Sequence, residues 1–189
     1  MAGTPTPPKL PDEVYTIFCG GIEQATAQKI VNSLTAASVN HVKHVHILFQ
    51  SAGGFVGDGI FLYNLFRAVP IELTLYNVGQ LSSAAVVAYL GAKRRKTSTR
   101  ATFMIHRSTN TTQFATSSRL EHITKSLILD DERTESILHE HVKLSDELWN
   151  ELRFHDIYLS GKEAVDSGMA TEIGEFEPPA GVQVFNLLG

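Results

Sequence analysis

The sequence predicts an α/β protein with one long helix standing apart from the rest. Three observations carry this. Strand-like and helix-like segments alternate from Val14 to Ile105. Glycine-bearing turns at Gly20-Gly21, Ser51-Ala52-Gly53-Gly54 and Gly79-Gln80 separate them. From Ser117 to Val142 no glycine or proline interrupts a helical pattern, a run of roughly 26 residues and about 39 Å at 1.5 Å per residue.

Met1 to Asp12 holds Pro5, Pro7, Pro8 and Pro11 and reads as a flexible lead-in, with a single domain expected over residues 13–189. Val14–Cys19 reads as a strand. Ala27, Ile30, Val31 and Leu34 have helical spacing within Thr26–Ala37. His44–Phe49 is a second strand. The helix expected from about Gly57 to Ala68 is apolar almost all round, which predicts burial. Ile71–Asn77 is a third strand, and a helix is expected from about Ser82 to Leu90. Thr102–Ile105 is a fourth strand. In the long helix Leu120, Ile123, Leu127, Thr134, Leu138 and His141 recur at three, four or seven, a stripe that asks for a partner subunit. A break near Asp130-Asp131 is the alternative. Ser145-Asp146-Glu147 opens a further helix with acids in its first turn. Ser160 and Glu163 form a capping box, and Gly168 sits where a C-cap belongs. The tail from Gly174, with Pro178, Pro179 and Gly181, reads as irregular.

The 189 residues carry 16 basic and 20 acidic side chains, a net charge of -4. That argues against broad nucleic-acid binding, which needs a basic face. With 43% hydrophobic residues the chain is neither disordered nor a coiled coil. A single cysteine, Cys19, permits no intramolecular disulfide and reads as a buried thiol. No run of 18 apolar residues suggests a membrane span, and residues 1–12 do not read as a signal peptide, so a cytoplasmic protein is expected.

Three places offer chemistry. Ser82 and Ser83 stand at the start of an apolar helix, where a serine is an N-cap or a nucleophile facing free backbone N–H groups. His106 ends the strand Phe103-Met104-Ile105, as a general base or as a loop histidine. Asp156 lies in Phe154-His155-Asp156-Ile157-Tyr158-Leu159, where it orients an imidazole or faces solvent.

Placed together, these segments resemble the Clp protease proteolytic subunit (ClpP) family. Ser51-Ala52-Gly53-Gly54 resembles S-P-G-G, and Gly79-Gln80-Leu81-Ser82-Ser83 resembles G-Q-A-A-S. Met104-Ile105-His106 resembles M-I-H, Asp156-Ile157-Tyr158-Leu159-Ser160 resembles D-x-F-L-S, and Glu163-Ala164-Val165 with Gly168 fits E-A-x-x-x-G. The resemblance runs from about Glu13 to Ile173. It implies a ClpP/crotonase-type spiral of β-β-α units with Ser117–Val142 as the handle helix that interlocks two rings. It implies Ser83 as nucleophile, His106 as base and Asp156 as the orienting acid. The backbone N–H groups of Gly54 and Ala84 fall on the oxyanion donors. Expected partners are peptides or unfolded polypeptides, an oligomeric ring of like chains and an AAA+ unfoldase. No cofactor and no metal are implied.

The sequence departs from the family at several points. Arg107-Ser108 stands where His-x-Pro is usual, Thr109–Phe114 lacks the family's glycines, and the residues flanking Asp156 are His155 and Ile157. Two other readings follow. A crotonase-type acyl-CoA enzyme shares the architecture and the two-donor oxyanion hole. A catalytically silent scaffold subunit would keep the fold without the turnover.

The remaining signals are weaker. Lys93-Arg94-Arg95-Lys96 reads as a solvated loop. His139-Glu140-His141 lacks the H-E-x-x-H spacing. His44 and His46 alternate along a strand and share one face near His41. The sequence shows no cysteine or carboxylate beside them, so no metal is expected there.

Overall fold

The computed structural model describes residues 11–188. The elements run β1 (Glu13–Cys19), α1 (Gln24–Val39), β2 (His44–Gln50), α2 (Val56–Ala68), β3 (Glu72–Asn77), β4 (Gln80–Ser82), α3 (Ala84–Leu90), β5 (Arg94–Thr97) and β6 (Thr102–Ile105). Then come α4 (Ser117–His141), α5 (Asp146–Glu151), β7 (Ile157–Ser160), α6 (Gly161–Asp166), β8 (Glu172–Ile173) and β9 (Val184–Asn186).

Six strands form a parallel sheet in the order β8-β5-β3-β2-β1-β9. A second sheet, β4-β6-β7, joins β4 and β6 in parallel and β6 and β7 antiparallel. Alternation decides which side chains enter the core. Val14 and Phe18, Val45, Ile47 and Phe49, and Leu73 and Leu75 pack with Ile30 and Leu34 of α1 and with Leu62 and Phe66 of α2. All seven residues of α3 are buried, and the helix packs on α2, on α4 and on β4 and β6 of the small sheet.

α4 runs unbroken through Asp130-Asp131 for 25 residues. Asp131 and Leu138, in its C-terminal half, are its buried residues, while Leu120, Ile128 and Leu129 are exposed. The helix therefore anchors at one end and projects at the other, as a handle does. Thr116 caps it, accepting from Arg119 N.

Several expectations are corrected. α3 starts at Ala84, because Ser82 is spent as the last residue of β4. α2 is buried on one stripe only, through Gly59, Leu62, Tyr63 and Phe66, and Phe61 is exposed. Cys19 is exposed, since it lies on the strand face opposite the core residue Phe18. The basic run is not a loop. Arg94–Thr97 is β5, and its alternation sends Arg95 inward and Arg94 outward. Arg95 donates to the carbonyl oxygens of Met169 (2.9 Å), Ala92 (2.6 Å) and Gly168 (3.2 Å), so a buried cation is satisfied by backbone dipoles. The tail is not wholly irregular, because β9 pairs with β1 at the sheet edge. Of the expected flexible segment, residues 1–10 lie outside the described residues. Asp12 is held by Lys43 at 2.6 Å. Among the described residues no helix is long and apolar enough to cross a membrane.

Candidate active site

The two adjacent serines differ in what their surroundings let them do. The Ser82 hydroxyl is buried and accepts from Gln80 Nε2 at 2.8 Å, so it is used structurally. Ser83 comes one residue later with φ 57° and ψ -130°. A non-glycine residue in the left-handed region costs about 1–3 kcal/mol and persists only where its surroundings over-determine it. They do so here. Ser83 N donates to Met104 O at 2.8 Å, Ser82 N to Ser51 O at 3.1 Å, and Val86 N to Ser83 O at 2.9 Å. The sharp strand-to-helix turn directs the Ser83 hydroxyl away from the sheet, the geometry of a nucleophile elbow.

His106 is the residue after β6. The parallel register Leu81↔Phe103 and Ser82↔Met104 carries it beside the turn. Its Nε2 lies 2.9 Å from Ser83 Oγ, within reach for proton transfer. Both residues are half-buried at the rim of a cleft.

Asp156 precedes β7. In the antiparallel β6–β7 ladder Ile105 pairs with Ile157. One further step of that register sets His106 opposite Asp156, the spacing at which cross-strand side chains come within reach. No hydrogen bond joins the two among the described residues, and the carboxyl is exposed. The structure thus brings Ser83 and His106 together and leaves Asp156 opposite His106 in the ladder register without a hydrogen bond to it.

Gly54 lies beside Ser83 in the same cleft. The backbone around Gly54 leaves no room for a side chain. A Cβ on Gly54 would sit 2.1 Å from the carbonyl oxygen of Ile22, which is fixed by bonds to Phe55 N and by the Ile22↔Gly54 bridge. A Cβ on Gly53, at φ 96°, would meet Ser83 Cβ at 2.7 Å. The Gly54 N–H has no acceptor among the described residues, and Ala84, as the first residue of α3, has no intrahelical one. Two free donors therefore flank the Ser83 hydroxyl.

The cleft has a volume of about 80 Å³, and Val56, Val87, Ile105 and Leu138 supply its apolar wall. Leu138 and Thr134 come from α4, so the handle's buried end is part of the site.

Sequence reasoning missed Asp131. This buried α4 carboxylate accepts from Arg107 Nε at 2.7 Å and from Ser108 N at 2.6 Å. It pins the two residues that follow His106. Glu135 adds a looser contact to Arg107 at 3.6 Å. The available signal was the departure from His-x-Pro. A proline has no N–H, whereas Ser108 supplies the donor that Asp131 accepts.

Comparison with known proteins gives the family. The model of the Clp protease family matches residues 8–177. The chain belongs to the Clp protease family. Among curated Clp relatives it resembles the ATP-dependent Clp protease proteolytic subunit 3 of Rhizobium etli, with 26% identity over 156 residues, covering 82% of this chain and 80% of the relative. The subunit of the same name from Rhizobium johnstonii is 24% identical over the same length. Among solved structures, a Clp fold is shared with a point mutant of ClpP1 from Listeria monocytogenes. The TM-score is 0.74 and the identity 24%, over 88% of this chain and 92% of the other.

Proposed function

We propose that this Clp family member is a serine peptidase that cleaves peptides or unfolded polypeptides through Ser83, His106 and Asp156. The observation that carries the reading is the 2.9 Å approach of His106 Nε2 to the hydroxyl of a strained Ser83. His106 takes the Ser83 proton as Oγ bonds to the scissile carbonyl carbon. The negative charge that develops on the carbonyl oxygen is met by the N–H groups of Gly54 and Ala84. His106 then gives the proton to the departing amine, leaving an acyl ester on Ser83. Water, deprotonated by His106, attacks that ester and frees the enzyme. Asp156, opposite His106 by the β6–β7 register, is assigned the role of taking the second ring nitrogen's hydrogen and stabilising the imidazolium once the two are brought together. The apolar wall of Val56, Val87, Ile105 and Leu138 fits an aliphatic side chain next to the cleaved bond.

The exposed Leu120, Ile128 and Leu129 of α4 support assembly of like chains through the handle. The Rhizobium relatives are named as subunits of an ATP-dependent protease, which supports an ATPase partner that delivers polypeptides. One observation favours a second reading, a silent scaffold subunit: Asp156 makes no bond to His106.

A single experiment separates the two. The purified protein is treated with a serine-directed fluorophosphonate and the adduct mapped by mass. A Ser83 adduct that vanishes in Ser83→Ala, with peptide turnover, supports the peptidase. An assembled, folded protein that forms no adduct and turns over no peptide supports the scaffold.

A further inference from the structure

On the face of the large sheet away from the core, alternation lines up Glu13 and Tyr15 of β1, His44 and His46 of β2, and Thr74 and Tyr76 of β3. His46 is more than nine-tenths buried, stacks on Tyr15 at 4.3 Å and lies 3.9 Å from the His44 ring. Its Nδ1 is engaged with Tyr76 OH at 2.9 Å. Its Nε2 is fully buried and has no hydrogen-bond partner among the described residues. A native interior rarely leaves such an atom orphaned, and each instance asks for an absent partner. The Glu13 carboxylate lies 3.6 Å from it. That is too long for a hydrogen bond but close to the edge of a tetrahedron around zinc, about 3.3 Å for ligand bonds of about 2.05 Å.

From this geometry we infer that Glu13, His44 and His46 form a binding site for a divalent transition metal of the Zn²⁺ class. One ligand atom from each of the three lies within 4.8 Å of the others. Glu13 is exposed and swings in on its own rotamers, and it gives the ion a path from solvent. Two imidazoles and one carboxylate suit zinc and exclude Mg²⁺ and Ca²⁺, which take oxygen ligands. The fourth position is left for water or a group from another molecule.

The surroundings are those of a metal site. Each imidazole has one nitrogen tied down, His46 by Tyr76 and His44 by Thr74 Oγ1 at 2.8 Å. Such second contacts fix the tautomer and ring plane of metal-bound histidines. Tyr15 OH touches the Glu13 carboxylate at 3.4 Å. The cations on this face are already matched, Arg94 by Glu72 at 3.0 Å and Lys96 by Glu172 at 3.3 Å. The site lies at the start of β1 and β2, whereas Ser83 lies past the far end of β2, so it is separate from the peptidase machinery. In the sequence Glu13 is far from His44. Only the Glu13↔His44 register brings them together.

The test titrates the full-length, chelator-treated protein with Zn²⁺ and, for a visible spectrum, with Co²⁺. One ion per chain at micromolar affinity or tighter, with Co²⁺ d–d bands, is expected. His46→Phe keeps the ring over Tyr15 and removes the ligand, so it abolishes binding. Glu13→Gln changes only an exposed side chain and weakens binding at least about 10-fold, and Tyr76→Phe weakens it about 10-fold through the second contact. Zinc also raises the Tm of the native chain and leaves that of His46→Phe unchanged. Absence of saturable binding in the native protein overturns the inference. So does binding that persists undiminished in a folded Glu13→Gln variant.

Discussion

Asp131→Ala tests whether the handle helix positions the catalytic base. The side chain makes two short bonds, to Arg107 Nε and Ser108 N, and both partners follow His106 directly. A hydrogen bond to a charged group contributes about 1.5–3 kcal/mol. The lower part of that range applies to each, because Arg107 is over a third exposed and keeps Glu135 at 3.6 Å. The expected loss of stability is therefore about 3 kcal/mol, a fall in Tm of roughly 6–12 °C for a chain of this length. The larger effect is on geometry. Releasing Arg107 and Ser108 frees His106 to drift from Ser83, and a misplacement of about 1 Å costs about 100-fold in rate. The assay is the rate constant for Ser83 phosphonylation by the fluorophosphonate, measured well below the variant's Tm. Asp131→Asn keeps an acceptor for Ser108 N but loses the charge, so it should recover part of the phosphonylation rate. An Asp131→Ala variant that melts lower yet is phosphonylated within about twofold of the native rate refutes the positioning argument. It would leave Asp131 a purely structural anchor.

Other outcomes follow from the same contacts. Asp156→Asn should leave Tm unchanged, because the carboxyl is exposed, and lower kcat for peptide by about 100-fold or more; an unchanged kcat removes Asp156 from the mechanism. Arg95→Met strips three carbonyl oxygens of their donor and should cost about 3 kcal/mol by denaturant unfolding. His141, 2.9 Å from Tyr63 OH, is held below the usual imidazole range by burial and by Arg95 and Arg67, against the pull of Glu140. The unfolded chain therefore binds a proton more readily than the folded one. The stability that the neutral ring contributes is complete above the unfolded value near 6.5 and is lost as pH falls below it. His141→Gln should flatten this part of the stability profile, measured as Tm against pH.

Most of the layered architecture was legible because strand and helix periods differ. His44–Phe49, Ile71–Asn77 and the unbroken α4 were all readable from spacing and from the absence of breakers. What was not legible depended on contacts distant in sequence. β5 looked like a solvated charge run because a basic tetrapeptide gives no sign of a buried guanidinium. Its partners Gly168 and Met169 lie about seventy residues on. β9 is short, and only its pairing with β1 makes it a strand. The serine, histidine and aspartate stood out only when taken together, whereas Asp131 resembled any acid on an exposed helix. Its inward orientation follows from the helix phase that also buries Leu138, seven residues away on the same face.

The same long-range ties explain why the three candidate residues differ in how firmly they are held. Ser83 and His106 are coupled through one residue, Met104. Its carbonyl receives Ser83 N, and its pairing with Ser82 fixes where β6 ends. The base is then clamped from behind by Asp131. Among the described residues nothing comparable holds Asp156. It leaves a turn with Phe154 and His155 exposed, and the first clamp after it is Ile157 in β7. Ser83 and His106 are thus set by the chain's own core, while Asp156 sits on the surface. The proposed peptidase thus keeps Ser83 fixed through its backbone bonds. Its last alignment step is the one most open to control by assembly.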